Sequence, residues 1–192
     1  MREVEILLPV LDSAKKALDS LRKIKFAGSK KTLDIYFVDP LRTDLKPDSN
    51  GRLIRALRLR RKGDRNYLTY KKDNFGEKDI WLYSDEHEVQ ISSFENGFEI
   101  LKQLGFEILV EIKSVKHIYE NERYEIILED VDELGLFLEV ERKNIADDEN
   151  VEVVKKEIRE FIEALGIKVG QELNIGKPEL MLRKKISTSP VR

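Results

Sequence analysis

The segment RYEIILEDVDELGLFLEVERK, residues 123–143, holds two runs in which apolar and charged residues alternate, separated by one short turn. Such runs are typical of β-strands, and a connection of a few residues joins antiparallel neighbours, because parallel strands need a long crossover. Side chains two positions apart lie on the same face of a strand. The segment therefore predicts an antiparallel hairpin in which Glu139 and Glu141 point the same way.

The rest of the chain extends this hairpin into a larger sheet. The preceding run at 106–119 adds a third strand and makes a meander, while residues 53–72 predict a second hairpin that turns at Gly63. Further alternating or β-branched runs predict strands at 2–10, 32–39 and 86–92. The sequence thus predicts about eight strands, nearly all antiparallel to their neighbours.

Three segments carry the apolar spacing of helices instead. They span residues 13–26, 93–105 and 147–166, and residues 177–185 add a turn of helix. We therefore expect an α+β fold in which an eight-stranded antiparallel sheet curls into a closed barrel with helices packed outside. Residues 1–182 form one domain in this interpretation, and residues 183–192 form a frayed basic tail.

Composition excludes several classes of protein. The chain has 35 Lys and Arg against 37 Asp and Glu, a formal net charge of −2. A general nucleic-acid or membrane-surface binder would carry an excess of one sign, so neither partner is expected. The absence of cysteine excludes disulfides and thiolate metal sites. No run approaches the ~18–20 apolar residues of a membrane span, so we expect a cytoplasmic protein.

Charged residues recur at strand spacing, with acids paired with acids and bases with bases. If these faces all point into one barrel, a group of carboxylates lies opposite a group of cations. Carboxylate oxygens suit Mg²⁺ or Mn²⁺, and arginine can hold phosphate oxygens bidentately. A divalent metal ion beside arginine and lysine side chains is the arrangement that enzymes of phosphoryl transfer use. The acids are Glu3, Glu5, Glu129, Glu139 and Glu141, and the bases are Arg58, Arg60, Lys71 and Lys116.

A simpler interpretation is open for each pair taken alone. Any half-exposed strand alternates charged and apolar residues. The basic run at 58–62 also suits a hairpin edge that keeps the protein soluble. Glu86 and Glu88 fit either interpretation, and we leave them outside the predicted site.

The order of these segments resembles the CYTH domain of the triphosphate tunnel metalloenzymes. This family includes class IV adenylyl cyclases, thiamine triphosphatases and inorganic triphosphatases. The resemblance runs from Glu3 to about Gly166, and its most specific parts are the opening Glu3-Val4-Glu5 and the block LEDVDELGLFLEVE at 128–141. It implies an eight-stranded antiparallel barrel that forms a closed tunnel.

The resemblance also implies roles for the charged residues. Carried over by position, Glu3, Glu5, Glu129, Glu139 and Glu141 would bind or organise Mg²⁺ or Mn²⁺, with Glu129 where the family usually has aspartate. Arg58, Arg60, Lys71 and Lys116 would bind the triphosphate, with Lys116 where an arginine is common. Glu5 and Glu141 are the predicted catalytic residues, which would orient the attacking water.

Two positions depart from the family pattern. Leu7 stands where the opening motif has lysine, and Ser114 stands where a basic residue is expected. Each missing charge-assisted bond is worth roughly 1.5–3 kcal/mol. Either Arg42, Arg55 or Arg123 compensates from a neighbouring position, or the site has a changed substrate or has degenerated.

The expected function is metal-dependent hydrolysis of a triphosphate, by a monomer or homodimer. Inorganic triphosphate is favoured over an organic one such as thiamine triphosphate, because no base or thiazolium pocket is visible in the sequence. The alternatives are a class IV adenylyl cyclase that makes cyclic AMP from ATP, and a non-catalytic binder of polyphosphate or nucleotides. Leu7 and Ser114 are the argument for the binder.

Overall fold

The computed structural model describes residues 2–146 and 148–188. Within these residues, nine strands and four α-helices form an α+β fold, as predicted. The strands are β1 Arg2–Glu3, β2 Glu5–Pro9, β3 Lys25–Val38, β4 Arg55–Lys62, β5 Arg65–Phe75, β6 Trp81–Ile91, β7 Glu107–Glu120, β8 Tyr124–Val131 and β9 Gly135–Arg142. The helices are α1 Ala14–Leu21, α2 Phe94–Gln103, α3 Val151–Ala164 and α4 Lys177–Thr188.

The strands form a single antiparallel sheet in the order β1-β6-β5-β4-β3-β7-β8-β9-β2. The first predicted strand is split at Val4, so the described residues form nine strands instead of the predicted eight. Its two parts lie at opposite ends of this order: Glu3 pairs with Ser84 of β6, and Glu5 pairs with Glu141 of β9. Residues 2–9 therefore join the two edges of the sheet and make it a barrel.

Alternation along the N-terminal strands separates the outside of the barrel from its interior. Val4, Ile6 and Leu8 are buried against a cluster that includes α1 and α3. In α3, Val154, Ile158 and Ile162 recur at i, i+4 and i+8, so one stripe of the helix packs on the sheet. The intervening residues Glu3, Glu5 and Leu7 consequently face inward.

Helix α2 covers another part of the outer surface. Phe94 and Leu101 of α2 pack against Ile35, Phe37 and Leu59 of β3 and β4. The prediction that helices pack outside the barrel is confirmed for α1, α2 and α3. No helix within residues 2–146 and 148–188 is both long and apolar enough to cross a membrane.

Helix α4 differs from the prediction in length and in position. It runs from Lys177 to Thr188, so residues 183–188 are helical and not a frayed tail, while residues 189–192 lie outside the described part of the chain. Met181 packs against inward-facing apolar residues at one end of the barrel, among them Leu7 and Phe137. The helix therefore covers an end of the interior, where burial of its apolar side chains holds it.

Two boundaries also differ from the predicted ones. Helix α1 ends at Leu21 instead of residue 26, because β3 begins at Lys25 and continues for 14 residues past an irregularity between Phe26 and Gly28. Strand β6 begins at Trp81, five residues before its predicted start. The longer β6 brings Glu86 and Glu88 into the middle of a ladder with β5.

Candidate functional site

The barrel encloses a charged cavity of about 240 Å³. All nine charged residues that the sequence singles out line it, which follows from the register of the strands. Glu5 pairs with Glu141 across β2 and β9, and Leu7 pairs with Glu139, so the inward face of both strands is shared. The nine residues are Glu3, Glu5, Arg58, Arg60, Lys71, Lys116, Glu129, Glu139 and Glu141.

Arg58 of β4 lies almost completely buried in the cavity wall. Its Nη2 donates to Thr69 Oγ1 at 3.2 Å and to Glu86 Oε1 and Glu88 Oε2 at 3.3 Å each. Its Nε is buried and finds no acceptor among the described residues. A buried N–H without a partner costs free energy, so an acceptor such as a phosphate oxygen would be favourable there.

Arg60, two residues further along β4, is held by Asp34 of β3. Its Nε and Nη2 donate to the two oxygens of Asp34 at 2.7 and 2.6 Å. Burial would raise the pKa of Asp34, but the guanidinium of Arg60 outweighs it and holds that pKa below its usual value. The bidentate pair fixes the plane of the guanidinium in the cavity.

Lys71 of β5 lies among three carboxylates. Its Nζ is 3.0 Å from Glu5 Oε1, 3.6 Å from Glu3 Oε2 and 3.8 Å from Glu86 Oε2. Burial opposes the charge of Lys71, but Glu5 and Glu3 raise its pKa well above the usual value. The ammonium therefore stays charged at neutral pH.

Lys116 of β7 and Glu129 of β8 form a buried pair, 3% and 2% exposed. Lys116 Nζ lies 3.5 Å from Glu129 Oε2, and Ser114 Oγ donates to Glu129 Oε1 at 2.6 Å. Ser114 thus does not restore the missing charge but hydrogen-bonds to the carboxylate beside it.

The sequence analysis missed Lys177, which begins helix α4. Its Nζ donates to Glu139 Oε2 at 2.6 Å and also to Glu129 Oε2. Pro178, directly after Lys177, is a signal for a helix start. Nothing in the sequence, however, indicates that the side chain of Lys177 enters a barrel. Glu129 and Glu139 therefore both pair with a residue from outside the sheet, in addition to the pair between Glu129 and Lys116.

The carboxylates fall into two groups with opposite pKa shifts. Burial would raise the pKa of Glu129 and of Glu139, but Lys116 and Lys177 outweigh it and lower both. Burial together with neighbouring carboxylates raises the pKa of Glu3 to about 7 and that of Glu141 to about 9. The side of the cavity that holds Glu3 and Glu141 therefore has too little positive charge to balance its carboxylates, although Lys71 lies beside Glu3.

A divalent cation would supply that charge. The donors are all carboxylate oxygens, the ligands that Mg²⁺ and Mn²⁺ prefer, so the residues fit such an ion. Within residues 2–146 and 148–188, no group of three or more His, Cys, Asp or Glu is close enough together to hold a metal. The five predicted ligands therefore share one cavity, but their carboxylates do not converge on one point as the ligands of a bound metal do.

The prediction of opposed acidic and basic groups needs correction. Asp34, Glu86 and Glu88 stand among the arginines, so the separation of charge is incomplete. Their signal was present in the sequence, because Asp34 interrupts a strand of apolar residues and Glu86 and Glu88 alternate. The predicted β6 began five residues too late, and Glu86 and Glu88 were left outside the predicted site because their pattern fits either interpretation.

None of the three arginines considered as substitutes lines the cavity. Arg42 pairs with Asp44 at 2.7 Å, and Arg123 pairs with Glu157 at 2.5 Å. Arg55 Nη1 lies 3.9 Å from the same Asp44. The hypothesis that one of these arginines replaces the cations missing at Leu7 and Ser114 is therefore wrong.

Known proteins share this fold and part of the sequence. The family model of the CYTH domain matches residues 1–174. A protein of Methanocaldococcus jannaschii, named provisionally as an adenylate cyclase, is 35% identical over 169 residues, which cover 87% of this chain and 91% of the relative.

Solved structures extend the comparison. A protein from Pyrococcus horikoshii OT3 is 28% identical with a TM-score of 0.77, covering 95% of this chain and 99% of that one. A protein from Hippeastrum, described provisionally as an adenylyl cyclase with a dominant triphosphatase activity, is 19% identical. Its TM-score is 0.64, with 98% of this chain and 97% of that chain covered, and at this identity the likeness concerns the fold.

Proposed function

This chain belongs to the CYTH family, and we propose that it hydrolyses a triphosphate with the help of Mg²⁺ or Mn²⁺. The observation that carries the proposal is the cavity in which Arg58, Arg60, Lys71 and Lys116 face a set of glutamates. A cavity with both signs of charge can hold an anionic substrate and a cation together. No separate nucleophile is needed, since positioning and electrostatics carry most of phosphoryl transfer.

The basic residues would bind the phosphate chain. Arg60 presents a guanidinium whose plane is fixed by Asp34, and Arg58 has an unpaired Nε. Lys71 of β5 and Lys116 of β7 add ammonium groups on either side of β4. Together these groups would neutralise the charge on the phosphates and hold the terminal one in a defined orientation.

The glutamates would act on the cation and on water. Glu3, Glu5 and Glu141 are the carboxylates that would hold Mg²⁺ or Mn²⁺. Among the described residues these three have one lysine, Lys71, beside them, whereas Glu129 and Glu139 have two, Lys116 and Lys177. When bound, the ion would neutralise charge on the phosphates and lower the pKa of water. Glu5 or Glu141 would orient the attacking water toward the terminal phosphorus and accept its proton.

The size of the cavity favours a compact substrate. Its volume of about 240 Å³ is below the ~300–1,000 Å³ of pockets that bury drug-sized ligands. At one end, Met181 of α4 and Phe137 fill the interior with apolar side chains. These features favour inorganic triphosphate over a triphosphate that carries a large organic group.

The test is release of phosphate from inorganic triphosphate, ATP and thiamine triphosphate, each with Mg²⁺, Mn²⁺ or EDTA. We expect release from inorganic triphosphate that requires metal and is abolished in Glu141→Gln. Arg123→Gln is the matched control, because Arg123 lies outside the cavity and should leave the rate unchanged. Absence of release from all three, with triphosphate still raising the melting temperature, would identify a non-catalytic binder instead.

Adenylyl cyclase activity is the second candidate, and the name of the Methanocaldococcus jannaschii relative favours it. A cyclase would hold the same triphosphate chain but direct the ribose 3′-hydroxyl at the α-phosphorus and release pyrophosphate. Mass spectrometry of ATP reactions separates the two: cyclic AMP with pyrophosphate identifies a cyclase, and ADP with phosphate identifies a triphosphatase.

A further inference from the structure

The ion pairs of Lys177 bring helix α4 into the cavity. Lys177 Nζ donates to Glu139 Oε2 at 2.6 Å and to Glu129 Oε2, and its side chain is 14% exposed. Glu129 is enclosed on both oxygens, since Ser114 donates to Oε1 at 2.6 Å and Lys116 lies 3.5 Å from Oε2. A lysine so enclosed by carboxylates is charged and ordered.

The place that Lys177 reaches is the one that β2 leaves without a cation. Leu7 pairs directly with Glu139 in the ladder of β2 and β9, so a lysine at position 7 would stand beside that glutamate. Leu7 is instead buried in the apolar cluster with Met181 of α4. The helix that packs on Leu7 thus also delivers a lysine to the neighbour of Leu7.

Lys177 lies beyond residue 174, where the match to the CYTH domain ends. Its ammonium has three N–H donors, of which two are given to the glutamates. One donor is left for a further acceptor, such as a phosphate oxygen. The charge in this corner is contributed by Glu129, Glu139, Lys116 and Lys177, two of each sign.

We propose that Lys177 is a built-in cation of the site, which replaces the lysine missing at position 7 and makes helix α4 part of the triphosphate cradle. In this role Lys177 keeps Glu129 and Glu139 from acting as cation ligands and confines the divalent ion to Glu3, Glu5 and Glu141. The inference deepens the proposed function and, in its triphosphate arm, rests on it.

Removal of this charge has consequences of opposite sign for the two ligands. Without Lys177, Glu129 and Glu139 share only Lys116, so the cavity becomes more negative and attracts a divalent cation more strongly. The same change weakens the binding of a triphosphate. Because a charge-assisted hydrogen bond is worth roughly 1.5–3 kcal/mol, each dissociation constant should change by at least about 10-fold.

The experiment is isothermal titration calorimetry on the full chain and on Lys177→Gln. Mn²⁺ is titrated without triphosphate, and inorganic triphosphate is titrated in EDTA. We expect Lys177→Gln to bind Mn²⁺ about 10-fold more tightly, or with an additional equivalent, and to bind triphosphate about 10-fold more weakly. Lys177→Arg keeps the charge and should stay within about 3-fold of wild type in both titrations.

Arg183→Gln is the control, since Arg183 is an exposed cation on the same helix and should change neither titration. Unchanged binding of both ligands in Lys177→Gln would overturn the proposal, and so would weaker binding of both, which would mean that α4 had only lost its packing. The Mn²⁺ arm needs no triphosphate. If wild type binds no triphosphate, the proposed function fails while the Mn²⁺ arm still decides the cation role of Lys177.

Discussion

The substitution Glu141→Gln should stabilise the metal-free protein, and the gain should depend on pH. Glu141 pairs with Glu5 in one neighbouring strand and with Glu125 in the other. No ion pair to Glu141 is found within residues 2–146 and 148–188. Burial and then the charges of other glutamates raise its pKa from 4.5 to about 9.

The sign follows from linkage between protonation and folding. Because the pKa is higher in the folded state, folded protein binds more protons than unfolded protein between pH 4.5 and 9. The stability that Glu141 contributes is complete below pH 4.5 and is lost as pH rises toward 9. Glutamine cannot ionise, so the variant does not show this loss.

The stabilisation that Glu141→Gln should give at pH 7 follows from the same pKa shift. Each pH unit above the unfolded pKa costs about 1.36 kcal/mol, which gives about 3 kcal/mol at pH 7. Solvent at the partly exposed side chain screens this to about 1.5–3 kcal/mol. At about 3 °C per kcal/mol for a chain of this length, the variant should melt roughly 4–9 °C above wild type.

The assay is thermal unfolding in EDTA at pH 5, 7 and 8 for wild type, Glu141→Gln and the exposed control Glu163→Gln. The difference in melting temperature between Glu141→Gln and wild type should be near zero at pH 5 and should grow with pH. Saturating Mn²⁺ should stabilise wild type and narrow the difference. A difference that is the same at pH 5 and pH 8, or a destabilised variant, would refute the reasoning.

Three further substitutions test other parts of the site. Arg60→Lys keeps the charge but loses the fork held by Asp34, so calorimetry should show inorganic triphosphate binding about 10-fold more weakly; an unchanged constant would contradict this. Leu7→Lys places an amine in an apolar cluster where Leu7 is 2% exposed, so unfolding should show a loss of about 2–4 kcal/mol with no tighter triphosphate binding. A stable variant that binds more tightly would mean the corner still lacks a cation. Arg42→Gln should leave triphosphate binding unchanged, because Arg42 pairs with Asp44 outside the cavity; weaker binding would restore the compensation excluded above.

The sequence is most informative where the charged residues of the site recur at every second position, which is also the period of a β-strand. Glu139 and Glu141 share a face because strand side chains alternate, and the short turn before them makes the hairpin antiparallel. The same reasoning placed Arg58 and Arg60 together, and the structure has all four residues in one cavity. In these strands, one rule decides both the fold and the position of the charge.

The residues that the sequence did not reveal depend on contacts distant along the chain. Lys177 is 38 residues from Glu139 and 48 from Glu129, and it stands on a helix that packs through Met181 on a cluster that includes Leu7. Strand periodicity carries no information about such docking. Glu86 was visible as a charged strand residue, but its place beside Arg58 requires the register between β5 and β6.

If the proposed function holds, the ion pairs predict that cation binding and triphosphate binding assist each other. Without ligands, Lys71 lies beside Glu5 and Arg58 beside Glu86, so a triphosphate must compete with carboxylates for its cations. If Glu5 turns to a divalent cation, Lys71 becomes available to a phosphate oxygen. By reciprocity, a phosphate on Lys71 leaves Glu5 available to the cation, and each ligand raises the affinity for the other. The mixed arrangement of acids and bases, which departs from the predicted separation, is therefore what would couple the two ligands.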